Sequence, residues 1–285
     1  MRVILVPLLG DADDAVGLSA AYALAAPFRA HIDGLFMRPD PIEAVINLEG
    51  EATPELIDTV TRSSKTTWDA RAEEAKQAFD DARAAADAAL AEEPTGTDTV
   101  TAQWNDVTGG PEALVPIRSR LADLIVLGGV HAGGSDRRRR IFELALLHGT
   151  RPLLLVPEKA VATIGNSVAV AWNGSAESTR AVAGAMPLLQ NADQVHILTA
   201  ASPRTDVSRA EELARYFGWH GVTCERHAMY PTNQVGAALV AEARNLGADL
   251  LVMGGYGRSR VHELVFGGVT RTVLGQYNLP ILLAH

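Results

Sequence analysis

The sequence predicts an α/β protein of two tandem, doubly wound, parallel five-stranded sheets, with a helical insert in the first half. Two observations lead there. First, the chain repeats itself in order: "ADLIVLGG" (Ala122–Gly129) returns as "ADLLVMGG" (Ala248–Gly255), and "RPLLLVP" (Arg151–Pro157) as "LPILLAH" (Leu279–His285). A weaker pair, "VILVPLLGDADDA" from Val3 and "VAVAWNGSAES" from Val168, aligns Gly10 with Gly174. Second, short apolar runs alternate with segments of helical spacing, the pattern of parallel strands buried by helices on both faces.

The elements follow in order. The first pair lies 126 positions apart and the weaker pair 164, so the first half holds about 38 additional residues before "ADLIVLGG". The division is 1–158 and 166–285, with the linker near Glu158–Asn166 and the insert at about 39–93. Within the insert Trp68, Ala72, Ala75, Phe79, Ala82, Ala86 and Leu90 recur every three or four positions, which predicts one long amphipathic helix covering a sheet edge or the domain junction. In the second half Val168–Trp172 reads as a strand, Ala176–Leu189 as a helix, Gln194–Thr199 as a strand, Arg209–Phe217 as a helix and Thr223–Met229 as a strand. A helix capped by Thr232 or Asn233 carries Val235, Leu239 and Ala243 inward, turns at Gly247 and enters "LLVMGG". A helix from about Val261 to Gln276 and the strand Pro280–Leu283 complete the half.

Composition narrows the functional classes. A net charge of −9 argues against binding nucleic acid or an anionic membrane surface. No stretch reaches the roughly 18–20 apolar residues of a membrane span, and the opening run lacks a signal-peptide pattern, so a cytoplasmic protein is expected. The single cysteine, Cys224, excludes an internal disulfide and reads as a small core residue of a strand. His131, His148, His196, His220, His227 and His262 show no metal-ligand spacing along the chain, so no metal site is expected. Arg137–Arg140 reads as a solvated face, and Asp11, Asp13 and Asp14 as the acidic first turn of a helix. No set of nucleophile, base and orienting group emerges, which predicts a binding and regulatory protein without catalytic residues.

The glycines around residue 260 suggest a ligand. "LLVMGG" is the end of a parallel strand, where ligands of open α/β sheets bind. Gly254 and Gly257 would let the following loop fold tightly, and Gly267-Gly268 stands before "VTRTVL", where helix N–H groups favour phosphate and Thr270 could add a hydroxyl.

The spacing Gly254-x2-Gly257-x9-Gly267 resembles the nucleotide-binding signature of the universal stress protein family, and the likeness extends over both halves. The resemblance implies an adenine nucleotide α-hydrolase-like fold in each half, and ATP or ADP, with or without Mg²⁺, held by the second. Met253, Gly254, Gly257, Gly267 and Gly268 would lie along the phosphates and ribose, and Ile197 would touch the base. Ala171, Arg258, Val269 and Thr270 complete the implied set. Two positions depart from the family pattern. Gly268 stands where Ser or Thr is usual, and Asn173 replaces the acidic residue after the first strand. In the first half Leu9 holds that acidic position, His131 replaces the second glycine and Leu144–Leu147 cover the third, so no nucleotide is expected there. Pairing of the two halves through their last strands, "PLLLVP" and "PILLAH", is expected by analogy with the family's dimers, and association of two chains stays open. A very slow ATPase using Arg258 or Ser259, or a nucleotide-free scaffold, are the alternatives.

Overall fold

The computed structural model describes residues 1–40, 53–94, 96, 98–130, 135–157, 163–200, 208–230, 234–255, 272–273, 275 and 278–285. The first half runs β1 (Val3–Leu8), α1 (Asp13–Phe28), β2 (His31–Arg38), α2 (Pro54–Ala85), β3 (Ala89–Leu90), β4 (Thr101–Thr108), α3 (Pro111–Ser119), β5 (Leu124–Gly128), α4 (Asp136–His148) and β6 (Leu153–Val156). The second runs β7 (Ser167–Ala171), α5 (Ala176–Asn191), β8 (Gln194–Ala200), α6 (Ser208–Trp219), β9 (Glu225–Met229), α7 (Val235–Asn245), β10 (Leu250–Gly254) and β11 (Ile281–Ala284). The strands form one sheet in the order β3-β4-β2-β1-β5-β6-β11-β10-β7-β8-β9.

The α/β class and the doubly wound order are as the sequence predicts. The order β4-β2-β1-β5-β6 recurs as β9-β8-β7-β10-β11, and each repeated stretch of sequence occupies the same place in its half. Two features add to the expectation. The first half has a sixth strand, the two-residue β3 at its outer edge. The two sets of strands are joined in a single sheet, because β6 pairs antiparallel with β11 (Leu155 opposite Ile281, Leu154 opposite Leu282, Leu153 opposite Leu283). All other pairings are parallel.

Alternation along the strands divides the interior into two apolar layers. Ile4, Val6, Leu154, Val168, Val252 and Leu282 face α1, α2, α5 and α6, whereas Leu5, Ile125, Leu153, Leu155, Leu251 and Leu283 face α3, α4 and α7. Strands packed on both sides cannot afford polar residues, which explains the unbroken "LLLV" and "ILLA" runs at the join. The 32-residue α2 is the expected long helix. It occupies the same crossover as α6, so most of the extra sequence lengthens a standard connection; Phe79 and Ala75 bury its inner face against β2 and β4. Helix α7 begins at Val235 after Gln234 in the left-handed region; Thr232 and Asn233 lie outside the described residues. Cys224 is half-buried just before β9, and burial raises its thiol pKa, so it is a poor nucleophile.

Glycines set the closest helix–sheet approaches. A Cβ on Gly128, at the end of β5, would meet the Asp13 carbonyl at 2.7 Å and the Gly17 nitrogen at 2.8 Å, both backbone atoms of α1. Gly128→Ala should therefore push α1 off the sheet and destabilise the protein by about 1–3 kcal/mol. Gly218, in the last turn of α6, has nothing within 4 Å of such a Cβ. Gly218→Ala should stabilise by about 0.5–1 kcal/mol, and urea unfolding of the two variants would show these opposite signs.

Candidate functional site

The two candidate clefts lie at the carboxyl ends of β1 and β5 and of β7 and β10. Gly10 and Gly174, matched in the repeat, both adopt the left-handed conformation after the first strand of their half, with φ of 69° and 72°. This matching places Asp11, Asp13 and Asp14 opposite Ser175, Glu177 and Ser178.

In the first half the cleft is filled from within. Asp14 is fully buried and accepts hydrogen bonds from the backbone N–H groups of Leu9 (2.9 Å) and Gly10 (2.7 Å). Arg138, from the first turn of α4, is 1% exposed. Its guanidinium pairs with Asp11 and Asp14, lies 3.7 Å from Asp13 and donates to the Gly128 carbonyl at 3.0 Å. This corrects the reading of the arginine run as a solvated face. Arg138 is a buried counter-ion to the aspartates, and Arg137 lies over the Trp68 ring at 4.4 Å and donates to the Met37 carbonyl. Only Arg139 and Arg140 keep to the surface, beside Asp136 and Glu112. The aspartates are more than a helix's acidic first turn, since they neutralise an arginine that arrives from more than 120 residues away. Leu9, 1% exposed, points into the apolar layer. His131 lies outside the described residues.

The second half differs at the matching positions. Ser175 caps α5, its hydroxyl accepting the Ser178 N–H at 3.2 Å. The Asn173 side-chain oxygen accepts the Ser175 N–H at 3.0 Å, and its carbonyl accepts from Arg209 at 3.2 Å. Asn173 thus spends its side-chain acceptor on shaping the turn. Glu177 has its carboxyl held below the ordinary value, chiefly by its own backbone N–H, one of the unpaired donors of the first helical turn. That turn therefore welcomes negative charge.

The implied site residues fall into three groups. Ala171 and Met253 stand side by side at the ends of β7 and β10, and Gly254 follows Met253. A Cβ on Gly254 would lie 2.6 Å from the Ser178 nitrogen, so its missing side chain admits the start of α5; Gly254 brings that helix N-terminus to the strand end. Ile197 is 0% exposed and packs between β8 and helices α5 and α6. Two residues further along, the buried Thr199 hydroxyl has no partner among the described residues. An alternating apolar strand gave no signal for it beyond one hydroxyl near the strand end. Gly257, Arg258, Ser259, Gly267, Gly268, Val269 and Thr270 lie outside the described residues.

Residues 225–285 match the model of the universal stress protein family. The C-terminal segment belongs to that family. The fold extends the likeness to the whole chain: a universal stress protein from Archaeoglobus fulgidus DSM 4304 superposes with a TM-score of 0.65 at 16% identity, covering 99% of this chain and 96% of that one. A functionally unknown protein from Pseudomonas aeruginosa PAO1 superposes with a TM-score of 0.54 at 15% identity, covering 100% of this chain and 92% of that one. These superpositions show a shared fold, Rossmann-like in each half. No curated protein matches the sequence. No helix among the described residues is long and apolar enough to cross a membrane.

The buried ion cluster has a measurable signature. Removing Arg138 leaves uncompensated carboxylates, so Arg138→Met should cost about 3–5 kcal/mol at pH 7.5. Burial raises the Asp14 pKa above its ordinary value of 3.8, while the Arg138 charge lowers it. A carboxyl raised by folding contributes stability that is present below its unfolded pKa and lost as pH rises through its folded one. Without Arg138 that window moves to higher pH, so the deficit of the variant should shrink between pH 7.5 and pH 5, as urea unfolding at the two values would record.

Proposed function

We propose that this chain is a cytoplasmic stress-response protein that binds ATP or ADP through the second half alone. Residues 1–158 and 166–285 act as two domains paired within one chain. The first serves as a permanently closed partner. What supports the reading is the contrast between the matched strand ends. Where the first half has three aspartates neutralising Arg138, the second has Ser175, Glu177 and Ser178, two hydroxyls and one acid. An anion approaching β10 and the start of α5 meets fewer like charges and a helix N-terminus that Gly254 holds close. The Gly254-x2-Gly257-x9-Gly267 spacing supplies the further backbone N–H groups that phosphates need.

Isothermal titration with ATP and ADP, with and without Mg²⁺, tests this, alongside mass spectrometry of freshly purified, denatured protein. One nucleotide per chain is expected, with affinity falling at least 100-fold in Gly257→Asp, which adds bulk and negative charge to the loop. Two nucleotides per chain would refute the closed first half. Absence of binding and of any thermal shift in millimolar ATP would leave a scaffold without nucleotide, and phosphate release with Mg-ATP would show hydrolysis.

A further inference from the structure

The outer edge of the second half carries a polar cluster that the nucleotide reading does not use. Strands β8 and β9 run parallel with His196 opposite Glu225 and Leu198 opposite His227. This register brings His196, Glu225 and His227 together, although in sequence the two histidines stand 31 residues apart. The expectation of no metal-ligand spacing holds only along the chain; across the strands the spacing appears.

Distances define the cluster. His196 Nδ1 lies 3.2 Å from His227 Nε2 and 3.7 Å from a Glu225 carboxylate oxygen, which is itself 3.6 Å from His227 Nε2. A point equidistant from these three atoms lies about 2 Å from each, the length of zinc–nitrogen and zinc–carboxylate bonds. A hydrogen bond between the rings would explain the shortest of the three separations. It would not explain why the carboxylate oxygen completes a nearly equilateral triangle with both nitrogens.

From this geometry we infer that His196, His227 and Glu225 form a binding site for a divalent transition-metal ion of the zinc class. Two imidazoles and one carboxylate are a borderline-soft donor set suited to zinc. Glu225 is 73% exposed, so water reaches the fourth position. His196 is almost fully buried, and its Nε2 has no partner among the described residues. Because β9 is the edge strand and is only five residues long, an ion held between β8 and β9 would clamp the sheet margin.

The test uses the full, tag-free chain, stripped with chelator and titrated with Zn²⁺ calorimetrically and with Co²⁺ by visible absorption, without nucleotide. One equivalent of zinc, an intense cobalt spectrum of low coordination number, and a zinc-dependent rise in the melting midpoint are expected. Affinity should fall at least tenfold in His227→Ala and in Glu225→Gln, and the melting shift should vanish with it. Both positions reach the surface, so these variants keep the fold testable, with circular dichroism as the check, even if His196→Asn does not fold. No zinc binding by the native chain, affinity unchanged in both surface variants, or a weak octahedral cobalt spectrum would each overturn the site.

Discussion

The architecture hinges on the antiparallel pairing of β6 with β11. Each is the last strand of its half and is apolar along its length, and each would otherwise present a row of unpaired N–H and C=O groups. Placed edge to edge, the strands satisfy one another and become interior strands of one sheet. The join is tightened on both faces. A Cβ on Gly184 of α5 would stand 2.9 Å from the Pro152 ring, and one on Gly255 would stand 3.3 Å from Leu146 of α4. Small residues thus let each half's helix lie against the other's last connection.

With the sheet continuous at its centre, the halves differ at their strand ends and at the two outer margins. At the first-half strand ends an arginine and three aspartates fill the space with paired charge and an excess of carboxylates. At the second-half strand ends the same positions carry hydroxyls and a helix start. The long α2 and the small β3 extend one outer margin, whereas the other ends in the short β9 with its histidines. The shared strand order therefore offers unequal chemistry, through side chains at matched positions and through the longer first-half crossover.

Much of this was legible in the sequence because apolar repetition is a local and strongly periodic signal. "ADLIVLGG" and "ADLLVMGG" named two strands of equal rank, and the spacing of Trp68 to Ala82 named α2, whereas the helix stops at Ala85 and Leu90, expected on the same helix, lies exposed in β3. The fate of Arg138 was not legible. A run of four arginines looks solvated until the fold brings Asp11 and Asp14 beneath one of them, and sequence distance hides that encounter. The same blindness concealed His196 and His227, which meet only through strand register. Period-two alternation along β8 turns the Ile197 side chain toward the helices, where it is fully buried.

The central join also imposes an order of events on synthesis. Strand β6 ends at Val156, and its partner β11 begins at Ile281. At translation rates of roughly 5–20 residues per second, the ribosome needs on the order of ten seconds to make the intervening chain. Throughout that interval the leucine-rich margin of the nascent first half has no mate of its own. A chaperone or a neighbouring nascent chain has the opportunity to occupy that unpaired edge until β11 emerges.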